Sequence, residues 1–364
     1  MENINMPTYP QAPQTIKDTL RRGIVIPAHP LALTSERKFD PRHQRALTRY
    51  YLDAGAGGVA VGVHSTQFEI RDPRYNLFRP VLALTSDTIA AWECDHPESD
   101  SIVRIAGICG PTRQAVEEAR TARELGYHAG LLSMAAMRGF SLDEQIAHAR
   151  IVAQEIPLFG FYLQPAAGGI ILPYRFWREF TEIPNVIGIK FAPFNRYQTL
   201  DVVRAVADSG RADEICLYTG NDDHIVLDLI SQYEVQTSGG AVRLTCHGGL
   251  LGHWSCWTQR AVWILDQCRQ ARQARCLPLE LTALANQVTD CNGAFFDAAN
   301  QYAGALSGVN EVLRRQGLMA SAVCLNEREK LSPGQAGEIE RVYRAYPDLN
   351  DDNFVKENLE RWLS

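Results

Sequence analysis

Val186-Ile-Gly-Ile-Lys190 is a short apolar run that stops on a lysine. Its length and β-branched content are those of a buried strand. Runs of this kind recur from Arg22 onward, at residues 23–27, 58–63, 102–107, 129–133, 158–162, 186–190, 215–219 and 241–245. Amphipathic stretches of helical length separate them, near 41–54, 76–94, 112–125, 142–155, 173–181, 199–208, 223–233 and 254–269. Eight strands each followed by a helix is the pattern of an α/β protein with a (β/α)8 TIM barrel. An open doubly wound sheet alternates too, but usually with a Gly-rich phosphate turn after its first strand. Here that turn is Pro27-Ala-His-Pro-Leu-Ala-Leu33, and no GxGxxG follows.

Helix-start signals agree with this division. Asp40-Pro41 pairs an N-cap candidate with an N1 proline, and Ser141-Leu-Asp-Glu144 has the capping-box spacing. After residue 269 only helical patterns remain, near 277–289, 293–316, 333–344 and 353–363. The expected organisation is an N-terminal arm over 1–20, poorly ordered or docked on another subunit, a barrel over 21–270, and a C-terminal helical region over 271–364 packed on it.

Thirty-six basic against 42 acidic residues give a net charge of −6, which argues against nucleic acid or an anionic membrane as the main partner. No apolar run approaches the roughly 20 residues of a membrane helix. The first residues show neither a basic nor an apolar leader segment, and the nine cysteines are scattered without a CxxC pair. A cytoplasmic protein with reduced thiols and no structural zinc is the expectation.

Only five of the basic residues are lysines, and Lys190 alone lies in an apolar strand. Strand alternation puts Val186, Gly188 and Lys190 on one face and the isoleucines on the other. If the isoleucines pack under the helices, Lys190 points inward at the C-terminal mouth, where barrel enzymes place their chemistry. A desolvated amine loses its proton more easily, and a neutral amine attacks a carbonyl to form a Schiff base. The bland alternative is a lysine that caps carbonyls or forms an ion pair. On the preceding strand, alternation puts Leu158, Gly160 and Tyr162 inward, with Gly160 and Gly188 leaving room for Tyr162 and Lys190 to meet. A phenol there shuttles protons during carbinolamine formation; otherwise Tyr162 is a hydrogen-bonded core tyrosine.

Tyr162-Leu-Gln-Pro165, the 28-residue step to Lys190 in Gly188-Ile-Lys190, and the following Ala192 resemble the dihydrodipicolinate synthase/N-acetylneuraminate lyase family of class I aldolases, which carry YNxP and GIK(E/D) motifs at that separation. Gly23-Ile-Val-Ile-Pro27, Ala106-Gly-Ile-Cys-Gly110 and Gly220-Asn-Asp-Asp223 extend the resemblance over about residues 20–345. It implies a Schiff-base Lys190, a proton-shuttling Tyr162, a pyruvate-type 2-oxo acid or aldehyde substrate, no cofactor or metal, and a homo-oligomer, either dimer or tetramer.

The departures are equally specific. The family's G-[ST]-[ST]-G-E carboxylate loop is replaced by Gly62-Val-His-Ser-Thr66. Gly62, Val63, His64 and Ser65 are then the candidate carboxylate binders through backbone N–H groups and one hydroxyl. The synthases' arginine after YNxP is replaced by Ala166-Ala-Gly-Gly169, and their interface tyrosine by Met134-Ala-Ala-Met137. Both losses argue against the lysine-biosynthesis reaction.

His64 is a proton shuttle or carboxylate donor on one reading and a loop histidine on the other. Arg243, in the run assigned as the eighth strand, replaces the lost arginine if it faces inward and is an ordinary solvated side chain if it faces out. His29 is expected to be structural. Cys246, His247 and His253 match no strong metal spacing. Asp222 and Asp223 are expected to cap a helix, and Trp254, Trp257 and Trp263 to pack. The expected protein is a Schiff-base lyase or aldolase. The alternatives are a sugar-acid dehydratase using the same imine, and a non-catalytic barrel that binds a carbonyl metabolite.

Overall fold

In a computed structural model that describes residues 8–364, helix α1 (Gln14–Arg22) precedes strand β1 (Val25–Pro27). The chain then alternates through α2 (Pro41–Asp53), β2 (Gly58–Val61), α3 (Phe78–Asp95), β3 (Val103–Ile108), α4 (Thr112–Glu124), β4 (Ala129–Ser133) and α5 (Leu142–Ala153). It continues through β5 (Leu158–Leu163), α6 (Tyr174–Phe180), β6 (Val186–Ala192), α7 (Arg196–Asp208), β7 (Cys216–Thr219) and α8 (Ile225–Ile230). An antiparallel hairpin, β8 (Gln232–Thr237) and β9 (Gly240–Thr245), comes before β10 (Gly248–Leu251). Helices α9 (Thr258–Ala274), α10 (Leu279–Phe295), α11 (Ala305–Arg315), α12 (Gln335–Ala345) and α13 (Asp352–Leu363) complete the chain.

Eight strands form one parallel sheet in the order β1-β10-β7-β6-β5-β4-β3-β2. A parallel bridge from Ala28 to Ala60, where the His29 N–H donates to the Ala60 carbonyl at 2.8 Å, joins the two edges. The fold is therefore a (β/α)8 barrel with a C-terminal helical extension. Asp40 caps α2, and Ser141 and Glu144 form a complete capping box on α5. Each cap satisfies N–H groups that a helix start leaves without partners.

Two apolar layers hold the barrel. Ile26, Ile105, Leu131, Phe159, Ile187 and Leu250 fill its interior, while Val61, Ile108, Leu132, Ile189 and Leu217 pack under the helices. Helix α1 belongs to the interior layer through Ile16 and Leu20, which close the floor of the barrel. Tyr218 ties it there: its hydroxyl donates to the Leu20 carbonyl at 2.8 Å and accepts from the Ile24 N–H. Of the expected N-terminal arm, then, residues 14–20 are a packed helix. Residues 1–7 lie outside the described residues.

The eighth strand also differs from expectation. Residues 241–245 belong to the exposed hairpin, and Gly248-Gly-Leu-Leu251 takes the barrel position. Packing demands glycine at this seam: a Cβ on Gly248 would stand 2.3 Å from the Ile24 carbonyl oxygen. A glycine pair carries little apolar signal, so the longer neighbouring run drew the assignment. The expected helix over 223–233 is cut to α8 because Gln232-Tyr-Glu-Val-Gln-Thr237 alternates between exposed and half-buried positions, the pattern of a strand with one wet face.

Candidate active site

Lys190 sits near the C-terminal end of β6 with its side chain inside the barrel mouth, 6% exposed. A register irregularity beside Ile187 and Gly188 lets both face the interior; alternation is regular from Gly188 to Ala192. Gly220, after β7, makes space for the lysine, since a Cβ there would stand 2.3 Å from the Lys190 Cε. The Nζ lies 4.7 Å from the centroid of the Phe161 ring and makes no hydrogen bond to a described residue. Burial disfavours its charged form and lowers its pKa to about 8, although the charge of Asp222 works the other way.

Asp222 is 5% exposed and accepts a hydrogen bond from the His253 N–H at 2.8 Å. Burial raises its pKa to about 7, with the Lys190 charge pulling it down. Burial thus works against the charged form of both groups, while each charge favours the other. A buried amine and a buried carboxyl on one cavity wall suit acid–base exchange around a carbonyl. The expectation that Asp222 and Asp223 cap a helix is not met: α8 has no side-chain cap, and Asp222 lines the mouth instead. Asn221 holds this turn in shape, accepting from the Phe194 N–H and donating to Thr199 and Asp228.

His64 and Ser65 line the same cavity, together with Val63. Burial, and then the Lys190 charge, lowers the His64 pKa to about 4, so its ring is neutral near pH 7. Gly62 contributes differently. Its N–H donates to the Thr66 hydroxyl at 2.9 Å, and that hydroxyl donates to the His29 carbonyl. Gly62 shapes the turn, and its N–H is already occupied. His29 is buried among Thr48, Gln44 and the Pro30 carbonyl, a structural position.

Tyr162 does not meet Lys190. On β5 it is Phe159, Phe161 and Leu163 that face the interior, and Phe161 pairs with Lys190 across the strands. Tyr162 points into the helix layer, where its ring packs 5.4 Å from Trp177 and its hydroxyl accepts from the Leu172 N–H at 3.2 Å. The glycine decides this parity. A Cβ on Gly160 would come within 2.9 Å of Phe180 and 3.0 Å of Trp177, so that face must lie against α6. Phe-Gly-Phe-Tyr-Leu is apolar on both faces, which leaves alternation alone unable to orient it.

Arg243 lies outside the site. It is on the hairpin, with its side chain 82% exposed and 3.3 Å from Glu234. It binds nothing at the mouth, because the run that carries it is not a barrel strand. Among the described residues, no three His, Cys, Asp or Glu side chains gather as a metal site would require.

The cavity above Lys190 holds about 320 Å³. Its upper wall comes from the C-terminal region: Phe296, Tyr302, Val309, Asn310 and Glu329. Glu69, just beyond the Gly62 turn, faces the same space. The residues of the C-terminal region were out of reach of motif reasoning, since only the docking of the extension brings them over the mouth.

A closed parallel barrel with a desolvated lysine and a carboxyl inside its mouth defines a (β/α)8 protein built around one buried amine. No protein-family model matches the chain, and neither does any curated protein. Among solved structures it is similar to a dihydrodipicolinate synthase from Oceanobacillus iheyensis, with TM-score 0.72 and 13% identity over 92% of this chain and 99% of the other. An N-acetylneuraminate lyase from Fusobacterium nucleatum complexed with pyruvate matches with TM-score 0.68 and 16% identity, over 91% and 99%. A prophage protein of the dihydrodipicolinic acid synthase family from E. coli K12, in complex with pyruvate, matches with TM-score 0.69 and 16% identity, over 89% and 97%. The chain shares the fold of these structures, at 13–16% sequence identity.

Proposed function

We propose that the protein is a Schiff-base lyase or aldolase acting on a 2-oxo acid of the pyruvate type. The observation that carries this reading is the Lys190 amine: buried, without a hydrogen-bond partner among the described residues, and facing a cavity of substrate size. Its neutral form attacks the substrate carbonyl carbon, and the carbinolamine loses water to give an iminium ion. That iminium accepts the electron pair of the adjacent C–C or C–H bond as it breaks, leaving an enamine.

Asp222 takes the role of proton exchanger. As a carboxyl it gives a proton to the departing hydroxyl, and as a carboxylate it takes one from the substrate. Phe161 occupies the place under the amine where the Tyr162 phenol was expected, so this chemistry runs without Tyr162. The Ser65 hydroxyl and the leading N–H groups of the His64–Thr66 turn, which have no acceptor inside the turn, supply donors for the substrate carboxylate. Similarity to two barrels solved with pyruvate supports the choice of substrate class.

Incubation with pyruvate and borohydride, followed by intact mass, tests the reading. A reduced adduct that disappears in Lys190→Ala supports it; no adduct with any 2-oxo acid in a broad panel would falsify it. The outward Tyr162 favours a second reading, a barrel that binds carbonyl metabolites without turning them over. That reading predicts an adduct, or reversible binding, with no cleavage, condensation or water loss from any bound compound.

A further inference from the structure

We infer that the outer end of the Lys190 cavity is a cation subsite, so that the carbonyl substrate carries an ammonium group remote from its carbonyl. This deepens the Schiff-base reading and rests on it for the placement of the carbonyl at Lys190.

Glu69 and Glu329 both line the cavity, and neither side chain has an ionic or hydrogen-bonding partner among the described residues. Burial, and then the charge of Glu69, raises the pKa of Glu329. Lys190 is the sole lysine or arginine on the described cavity wall. A second substrate carboxylate would add to the repulsion at this end, whereas an ammonium would relieve it.

Aromatic rings on the same cavity wall suit the same ligand. Phe68, Phe194, Phe296 and Tyr302 line this space, with Phe194 and Tyr302 in an edge-to-face pair 5.9 Å apart. Aromatic faces attract alkylammonium ions. Independently, the partnerless Lys190 amine, 6% exposed, marks this cavity as a ligand site. The substrate class that fits is an amino-substituted 2-oxo acid.

Three 2-oxo acids of equal length, ending in trimethylammonium, tert-butyl or carboxylate, test the subsite. Each is titrated by calorimetry and separately trapped with borohydride. The ammonium compound should bind about tenfold tighter than its tert-butyl isostere, and the carboxylate compound most weakly. In Glu69→Gln combined with Glu329→Gln, the ratio of ammonium to tert-butyl affinity should fall toward one. Equal affinities, tightest binding by the carboxylate compound, no binding of the ammonium compound, or a ratio unchanged in the double variant overturns the subsite. The two ideas fail separately. Charge preference without any trapped adduct removes the imine and keeps the subsite, and trapping without preference does the reverse.

Discussion

The Lys190 ammonium lies 4.7 Å from the centre of the Phe161 ring, while the neighbouring Tyr162 hydroxyl points out of the barrel and accepts the Leu172 N–H. A phenyl face stabilises a cation weakly and exchanges no protons. In the proposed mechanism proton exchange is assigned to the carboxyl of Asp222, which lines the same cavity.

Replacing Lys190 with alanine should abolish the borohydride-trapped adduct with pyruvate and leave the fold intact. Intact mass and circular-dichroism melting report the two outcomes. Normal turnover in that variant would remove the imine from the mechanism.

Tyr162→Phe should act on stability. It leaves the buried Leu172 N–H without its acceptor, which costs about 1–2 kcal/mol in urea unfolding. The rate of adduct formation should stay within about twofold, whereas loss of a proton shuttle would slow it roughly 100-fold.

The trapping rate should rise with pH through about 8, because only the neutral amine attacks and burial lowers the Lys190 pKa to that region. Asp222→Asn removes the charge that favours the ammonium, so the inflection should move to lower pH. Turnover in the same variant should fall by about 100-fold or more as proton exchange is lost. An inflection near the ordinary lysine value would show a solvated side chain.

Gly220→Ala places a Cβ 2.3 Å from the Lys190 Cε and 2.8 Å from the Ala192 Cβ. The lysine must leave its position, and trapping should drop by at least about tenfold, as misplaced reacting groups lose rate steeply. Arg243→Ala, on the exposed hairpin, should change affinity for any trapped 2-oxo acid by less than about twofold, in keeping with the small worth of a solvated ion pair. A larger change would put the hairpin in contact with the mouth.

Periodicity along the chain determined the barrel, the inward lysine at the end of its sixth strand, and the caps at Asp40 and Ser141. Each depends on neighbours a few residues apart, and local spacing encodes those contacts. Tertiary packing alone decided which face of Phe159-Gly-Phe-Tyr162 looks inward, because both faces are apolar and only the rings of Trp177 and Phe180 require the glycine on their side. It also decided the eighth strand, where Gly248 is chosen by the approach of the Ile24 backbone. The same holds for Asp222 with Lys190 and for Glu69 with Glu329: these charges are distant along the chain, and only the fold brings them to one cavity wall.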